Sequence, residues 1–271
     1  MVGAVISMKL IAMDLDGTLD NDQKTIDSPT REALLKAQRF GIRLLLASAR
    51  PLHGLYRERD LLEMQTYGGM LMAYNGGLIA DASGTMISAD QMDRDQSRKI
   101  LRILETLPVT PILDDGERFY VTDPEGFMVQ YESRNNEMPL TIVKDLAGGL
   151  SFAPFKLLMS VDPAVIAGVQ KQIAESLPAE LTVVQTAPFY LEVIPAHINK
   201  GMGLLNACKV AGIHPSETIA FGDSQNDIEM LKTAGIGIAM ANADPKVKEA
   251  ADRVTLSNND NGIAAALADL L

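Results

Sequence analysis

Short apolar runs alternate with helix-length amphipathic segments at the two ends of this chain, and the alternation breaks in the middle. Lys9 to Met13, Ile42 to Ala47 and Met70 to Tyr74 read as buried strands. Between them, Ser28-Pro29 marks a helix start that Gly41 ends, and Pro51 opens another helix. After residue 195 the pattern resumes. Gly201 to Ala211 reads as a helix, Thr218 to Phe221 as a strand, and Asn226 to Ala234 as a helix. Ile236 to Met240, Pro245 to Ala251, Arg253 to Leu256 and Gly262 to Leu271 continue the series. Strand–helix repetition of this kind predicts a parallel sheet with helices on its faces.

The middle reads differently. Asp90 to Leu107 is helical, and Thr110 to Asp114 and Glu117 to Thr122 flank Asp115-Gly116, a hairpin signal. Phe155 to Val161, a helix over Pro163 to Leu177, and a strand pair at Leu181 to Gln185 and Phe189 to Ile194 follow. This block is α+β with antiparallel pieces. The expected organisation is one α/β domain from 1–87 and 191–271, with 88–190 inserted as a second domain.

Composition limits the partners. The 271 residues carry a net charge of −11, spread over both blocks, and the isoelectric point is near 4.8. Such a chain presents no basic footprint for nucleic acid. No apolar run approaches the length of a membrane helix. Lys9 interrupts the apolar stretch Val2 to Met13 and no cleavage site follows, so a cytoplasmic protein without a leader is expected. The one cysteine, Cys208, reads as a small core residue.

Chemistry is concentrated at predicted strand ends, where parallel sheets bind ligands. Asp14-Leu15-Asp16-Gly17-Thr18 follows the first strand directly. If the chain stays extended there, Asp14 and Asp16 project the same way and flank one centre. Two such carboxylates repel unless a cation lies between them, and an all-oxygen ligand set suits Mg²⁺. An ordinary Asp-Gly turn is the plain alternative. Gly222-Asp223-Ser224-Gln225-Asn226-Asp227 follows another strand and opens a helix. An acidic helix start would explain it alone, less well beside a second acidic strand end. Ser48-Ala49-Arg50-Pro51 reads either as a phosphate cradle or as a plain helix cap. Lys200 stands where a helix dipole disfavours a cation, a hint that it serves a ligand rather than solvent.

Those four segments, in this order and at these places, resemble the four motifs of the haloacid dehalogenase superfamily. More narrowly, the chain resembles its Cof-type, subfamily IIB sugar phosphatases. The likeness extends over Tyr74 to Gly77, Leu191 to Gly201, Gly237 to Ala243 and Asp260 to Gly262. It implies a Rossmann-like parallel-sheet core with an inserted α+β cap of the C2 type.

It also implies a Mg²⁺-dependent phosphatase acting on a small phosphorylated metabolite. Asp14 would be the nucleophile and Asp16 the acid–base. Mg²⁺ would be held by the Asp14 carboxylate, the Asp16 main-chain oxygen and Asp223. Lys200, Ser48 and the Ala49 N–H would bind the phosphoryl oxygens, and Asn226 would orient the phosphate or a metal-bound water. Asp227 would support Lys200 or the metal shell. Asn75 lines the site or makes a turn with Gly76.

The chain departs from the family in Ser48-Ala49, where Thr-Gly is usual, and in His197 and Ala241, where glycine is common. Ala49 would be strained if the cradle needs positive φ, and His197 reads as a hinge or rim residue. Competing readings are a phosphomutase on the same fold and a non-catalytic metabolite-sensing module. A monomer or weak homodimer is expected.

Overall fold

A computed structural model describes residues 8–270. The first seven residues, part of the stretch read for a leader, and Leu271, at the end of the expected last helix, lie outside the described residues. The chain divides into two units, one formed by the residues up to Ala89 together with those from Asn199 on, the other by Asp90–Ile198. The first returns later than expected. Tyr190–Pro195 is bonded on one edge to Leu181–Ala187 and on the other to Leu157–Ser160, so it belongs to the second unit's sheet and the crossing falls at Ile198 rather than at 191.

The first unit holds an eight-stranded sheet in the order Arg253–Val254, Ile236–Ala239, Thr218–Gly222, Leu10–Met13, Arg43–Ala47, Met70–Ala73, Leu78–Asp81, Met86–Ala89. The first six run parallel, as the strand–helix alternation predicts, and the last two are antiparallel. That hairpin edge was not expected. Its final strand is largely exposed, so it lacks the apolar run that marks the central strands.

The central strands are buried along their whole length because helices cover both faces. On one face Leu204, Ala207, Cys208, Met230, Leu231 and Val247 pack on Leu10, Ala12, Leu45, Met72 and Ala220. Cys208 is therefore a core residue, and burial pushes its thiol up to about 11. Elsewhere in the unit the helices Ser28–Arg39 and Gly262–Leu270 pack on each other. The first of these is preceded by Asp27 rather than capped by Ser28, because Asp27 already holds the extended conformation and Ser28 is in the helix.

The second unit holds a six-stranded sheet, antiparallel except where Phe119–Val121 runs parallel to Leu140–Ile142. The hairpin around Asp115-Gly116 forms, with Gly116 at φ 92°. The helices Arg94–Leu104 and Ile166–Ser176 cover one face. His197 is exposed and pairs with Asp90, Nε2 to Oδ2 at 2.5 Å, so the two ends of this unit meet. Among the described residues, no helix is long and apolar enough to cross a membrane.

Candidate active site

Asp14 follows the strand Leu10–Met13, which lies between Thr218–Gly222 and Arg43–Ala47. Its N–H donates to Phe221 O at 3.1 Å, which continues the sheet bonding one residue beyond the strand. Asp223 directly follows the neighbouring strand, so two remote carboxylates arrive side by side. Among the described residues, one group of three side chains has metal-competent atoms that all lie within 4.8 Å of each other: Asp14, Asp223 and Asp227. Lys200, the first residue of the helix Lys200–Ala211, is wholly buried and completes the cluster. Its Nζ donates to Asp14 Oδ1 at 2.6 Å and to Asp227 Oδ1 at 2.7 Å. The solvated-lysine alternative does not survive this burial.

Local bonding makes the arrangement stiff. Asp227 Oδ2 accepts from the N–H groups of Asp223 and Ser224, both at 3.0 Å, and so closes a capping box. Asp223 accepts from Thr18 Oγ1 at 2.7 Å and Ser224 Oγ at 3.1 Å. Gly17 sits at φ +85°, and a Cβ there would stand 2.5 Å from Asp223 Oδ2. Only glycine fits on both counts.

The charges are poised for a cation. Burial pushes Asp14 well above its usual range, Lys200 opposes this, and Asp227, Asp223 and Asp16 add to it. Burial and then Asp227 raise Asp223 to about 6, against the hydrogen bonds from Thr18 and Ser224. Burial works against the Lys200 ammonium, but Asp14 and Asp227 outweigh it and hold the proton firmly.

Asp16 does not join the cluster, contrary to the extended-chain expectation. The chain curls instead: the N–H of Thr18 donates to Leu15 O at 3.2 Å, that of Leu19 to Asp14 O at 3.2 Å and that of Asp20 to Leu15 O at 2.9 Å. This turn carries the Asp16 carboxylate to Arg50, whose Nε and Nη2 reach it at 2.9 and 2.5 Å, and to the Lys24 ammonium. Burial alone would raise Asp16, but Arg50 and then Lys24 bring it down to about 2.

Ser48 is buried at the end of Arg43–Ala47, and its Oγ accepts from the Arg50 N–H at 3.1 Å. It caps no helix, since the next helical turn begins at Leu52. Ala49 is not among the residues at positive φ, so the strain raised for it is absent. Asn75, at φ 56°, donates its N–H to Ser48 O at 2.9 Å, and its Oδ1 accepts from Asn226 Nδ2 at 2.9 Å. It makes the turn and also links Ser48 to Asn226.

Several residues of the site escaped the sequence reading. Thr18 and Arg50 stood inside quoted motifs without a role. Asn242 Nδ2 donates to Gly17 O at 2.7 Å, and Asn258 Nδ2 to Asp20 O at 3.1 Å, so the far end of the chain pins the loop after Asp14. Asparagine side chains of this kind carry no periodic signal.

The profile of the haloacid dehalogenase-like hydrolases matches residues 11–267. The chain belongs to that family. A haloacid dehalogenase-like hydrolase from Bacteroides thetaiotaomicron is 33% identical and superposes with a TM-score of 0.92 over 98% of this chain and 100% of that one. The 5-amino-6-(5-phospho-D-ribitylamino)uracil phosphatase YwtE of Bacillus subtilis is 30% identical over 97% of this chain and 98% of its own. The HAD subclass IIB sugar phosphatase BT4131 shares the fold, with a TM-score of 0.81 at 24% identity over 97% of this chain and 98% of that one. This haloacid dehalogenase-like hydrolase is accordingly a phosphatase.

Proposed function

We propose that the enzyme hydrolyses small phosphate monoesters, sugar or polyol phosphates foremost, through an aspartyl-phosphate on Asp14. One observation carries the reading: Lys200 Nζ sits between Asp14 and Asp227, beside Asp223, at the rim of the parallel sheet. A buried nucleophilic carboxylate and an ammonium that can serve phosphoryl oxygens are thereby in contact. The ribityl phosphate in the name of the Bacillus relative supports a polyol phosphate as the substrate class.

The donor set fits a hard divalent cation. It is all oxygen, and three carboxylates meet there around a single ammonium, so a further positive charge would relieve their repulsion. Asp14 and Asp223, with the Asp16 main-chain oxygen, would hold Mg²⁺, and Asp227 would brace them. When bound, the ion would neutralise phosphate charge so that an anionic nucleophile can approach.

The chain's own groups do the rest. An Asp14 oxygen attacks phosphorus in line as the ester P–O bond breaks. Asp16 gives its proton to the departing oxygen, then takes one from the water that hydrolyses the acyl phosphate. Its ion pair with Arg50 and Lys24 suits the second role, so it must loosen for the first. Lys200, the Ser48 hydroxyl and the Ala49 N–H donate to the non-bridging oxygens, where preorganised donors are worth most. Asn75 holds Asn226 toward the same task. A cytoplasmic setting belongs to the same reading.

The test is phosphate release from a panel of sugar, polyol and aryl phosphates, with and without Mg²⁺. Release that depends on the metal and vanishes in Asp14→Asn supports the reading. An isomerised sugar phosphate would replace it with a mutase, and silence on every ester would leave a sensing module.

A further inference from the structure

Asp16 is gripped by a guanidinium that is itself gripped by acids with no part in the reaction above. Arg50 is buried, forks onto both Asp16 oxygens, and donates from Nη1 to Gly54 O at 3.2 Å. Its Nη2 also lies 4.0 Å from Asp20 Oδ2. Asp20 and Glu58 are both 0% exposed, and Arg57 ties them together. Arg57 Nη2 donates to Asp20 Oδ2 at 3.2 Å and its Nε to Glu58 Oε1 at 2.8 Å.

Such a pair of acids is costly. Asp20 Oδ1 and Glu58 Oε2 are buried without a hydrogen-bond partner among the described residues. A helix surface would have solvated Glu58 at no expense. Stability surrendered beside an active site points to function.

We propose that Asp20 and Glu58 are positioning residues for Asp16, acting through Arg50. This rests on the reading of Asp16 as the acid–base. A guanidinium grips a carboxylate through two parallel hydrogen bonds only when its plane is set. Gly54 O fixes one corner of that plane. Asp20 supplies the counter-charge on the other side, and Glu58, through Arg57, keeps Asp20 in place. The electrostatic reach agrees, because Glu58 acts on both Asp20 and Arg50. Without either acid the fork turns, and Asp16 loses its register with the leaving oxygen.

A structural ion-pair network would show the same contacts, and the leaving group separates the two cases. In the first step the Asp14 O–P bond forms, the ester P–O bond breaks, and the Asp16 proton passes to the departing oxygen. An alkoxide needs that proton, whereas a nitrophenolate leaves without it. Because kcat/KM ends at the first irreversible step, formation of the acyl phosphate, the later proton transfer does not enter.

The experiment measures kcat/KM of the parent, Glu58→Gln, Asp20→Asn and Arg50→Lys on p-nitrophenyl phosphate and on the best alkyl or sugar phosphate of the panel, in saturating Mg²⁺. General acids contribute ~10²–10⁴-fold, and partial misplacement should remove part of this. The alkyl ester is expected to lose at least about tenfold more than the aryl ester in each variant. The ratio does not depend on the fraction of folded enzyme, so a poorly folding variant still reports. Equal losses on both esters, or none, overturn the proposal and leave the phosphatase reading standing. A parent enzyme silent on both esters overturns the phosphatase reading itself.

Discussion

Lys200 Nζ stands 2.6 Å from Asp14 Oδ1, although 186 positions separate the two residues. Replacing Lys200 by alanine removes the one ammonium among three carboxylates. We expect kcat/KM to fall ~10²–10³-fold, about 2.7–4 kcal/mol, the scale of a lost oxyanion donor. Uncompensated buried charge should also lower stability by about 3–5 kcal/mol. Steady-state kinetics and denaturant titration check both, and unchanged kcat/KM would show that the lysine is purely structural.

Asp14→Asn keeps the shape and removes the proposed nucleophile. Turnover should fall by ~10³ or more, since groups acting as a unit fail together. The melting temperature should hold, because the amide keeps an oxygen that accepts from Lys200 Nζ and Asp227 still compensates the ammonium. Substantial residual turnover of any ester would assign the nucleophile elsewhere.

Gly17→Ala disturbs the proposed metal site without replacing a ligand. The added Cβ meets Asp223 Oδ2 at 2.5 Å and sits at φ +85°. Mg²⁺ affinity should weaken ~10–100-fold, as when support for a ligand is disturbed. A metal titration of activity reads this as a shifted midpoint, partly recovered at high Mg²⁺.

Protons should compete with the proposed cation. Asp223 titrates at about 6 and Asp14 is raised as well, so both hold protons in the folded, metal-free protein at pH values where they are ionised when unfolded. Their contribution to stability is therefore full below the unfolded values and is lost as pH rises through the folded ones. Mg²⁺ should restore it, raising the melting temperature more near pH 8 than near pH 5. An equal rise at both pH values would contradict the assignment of the ligands.

Asp20 makes a second pH prediction. Burial first, then Glu58, raise it to about 7. By the same sign it favours the folded state below about 4 and loses that advantage as pH rises through 7. Asp20→Asn should therefore melt higher than the parent near pH 8 and converge with it in acid, while losing activity on alkyl esters. A variant less stable at pH 8 than at pH 5, relative to its parent, would reverse the sign.

Local chain geometry made much of this molecule legible. The apolar run ending at Met13 and the one ending at Phe221 marked strand ends, and the acids after them marked the rim. Lys200 was legible as a misfit with its own helix. The departures have separate causes. Asp16 was placed by an extended-chain rule, whereas hydrogen bonds from Thr18, Leu19 and Asp20 curl the segment and deliver its carboxylate to Arg50. The strand Tyr190–Pro195 was paired with its neighbour Leu181–Ala187 in the inserted block, as the structure has it, but the domain boundary set at 191 cut through it.

The sequence by itself determined the class of fold and the acidic strand ends, because these follow from side-chain period and from covalent neighbours. Tertiary structure alone decided which charges meet. Asp227 rather than Asp16 shares the buried cluster with Asp14 and Asp223, and Asp20 and Glu58 lie buried behind Arg50. Such meetings depend on strand order and on the path of turns, which place groups from opposite ends of the chain within hydrogen-bonding distance and leave no periodic trace along it.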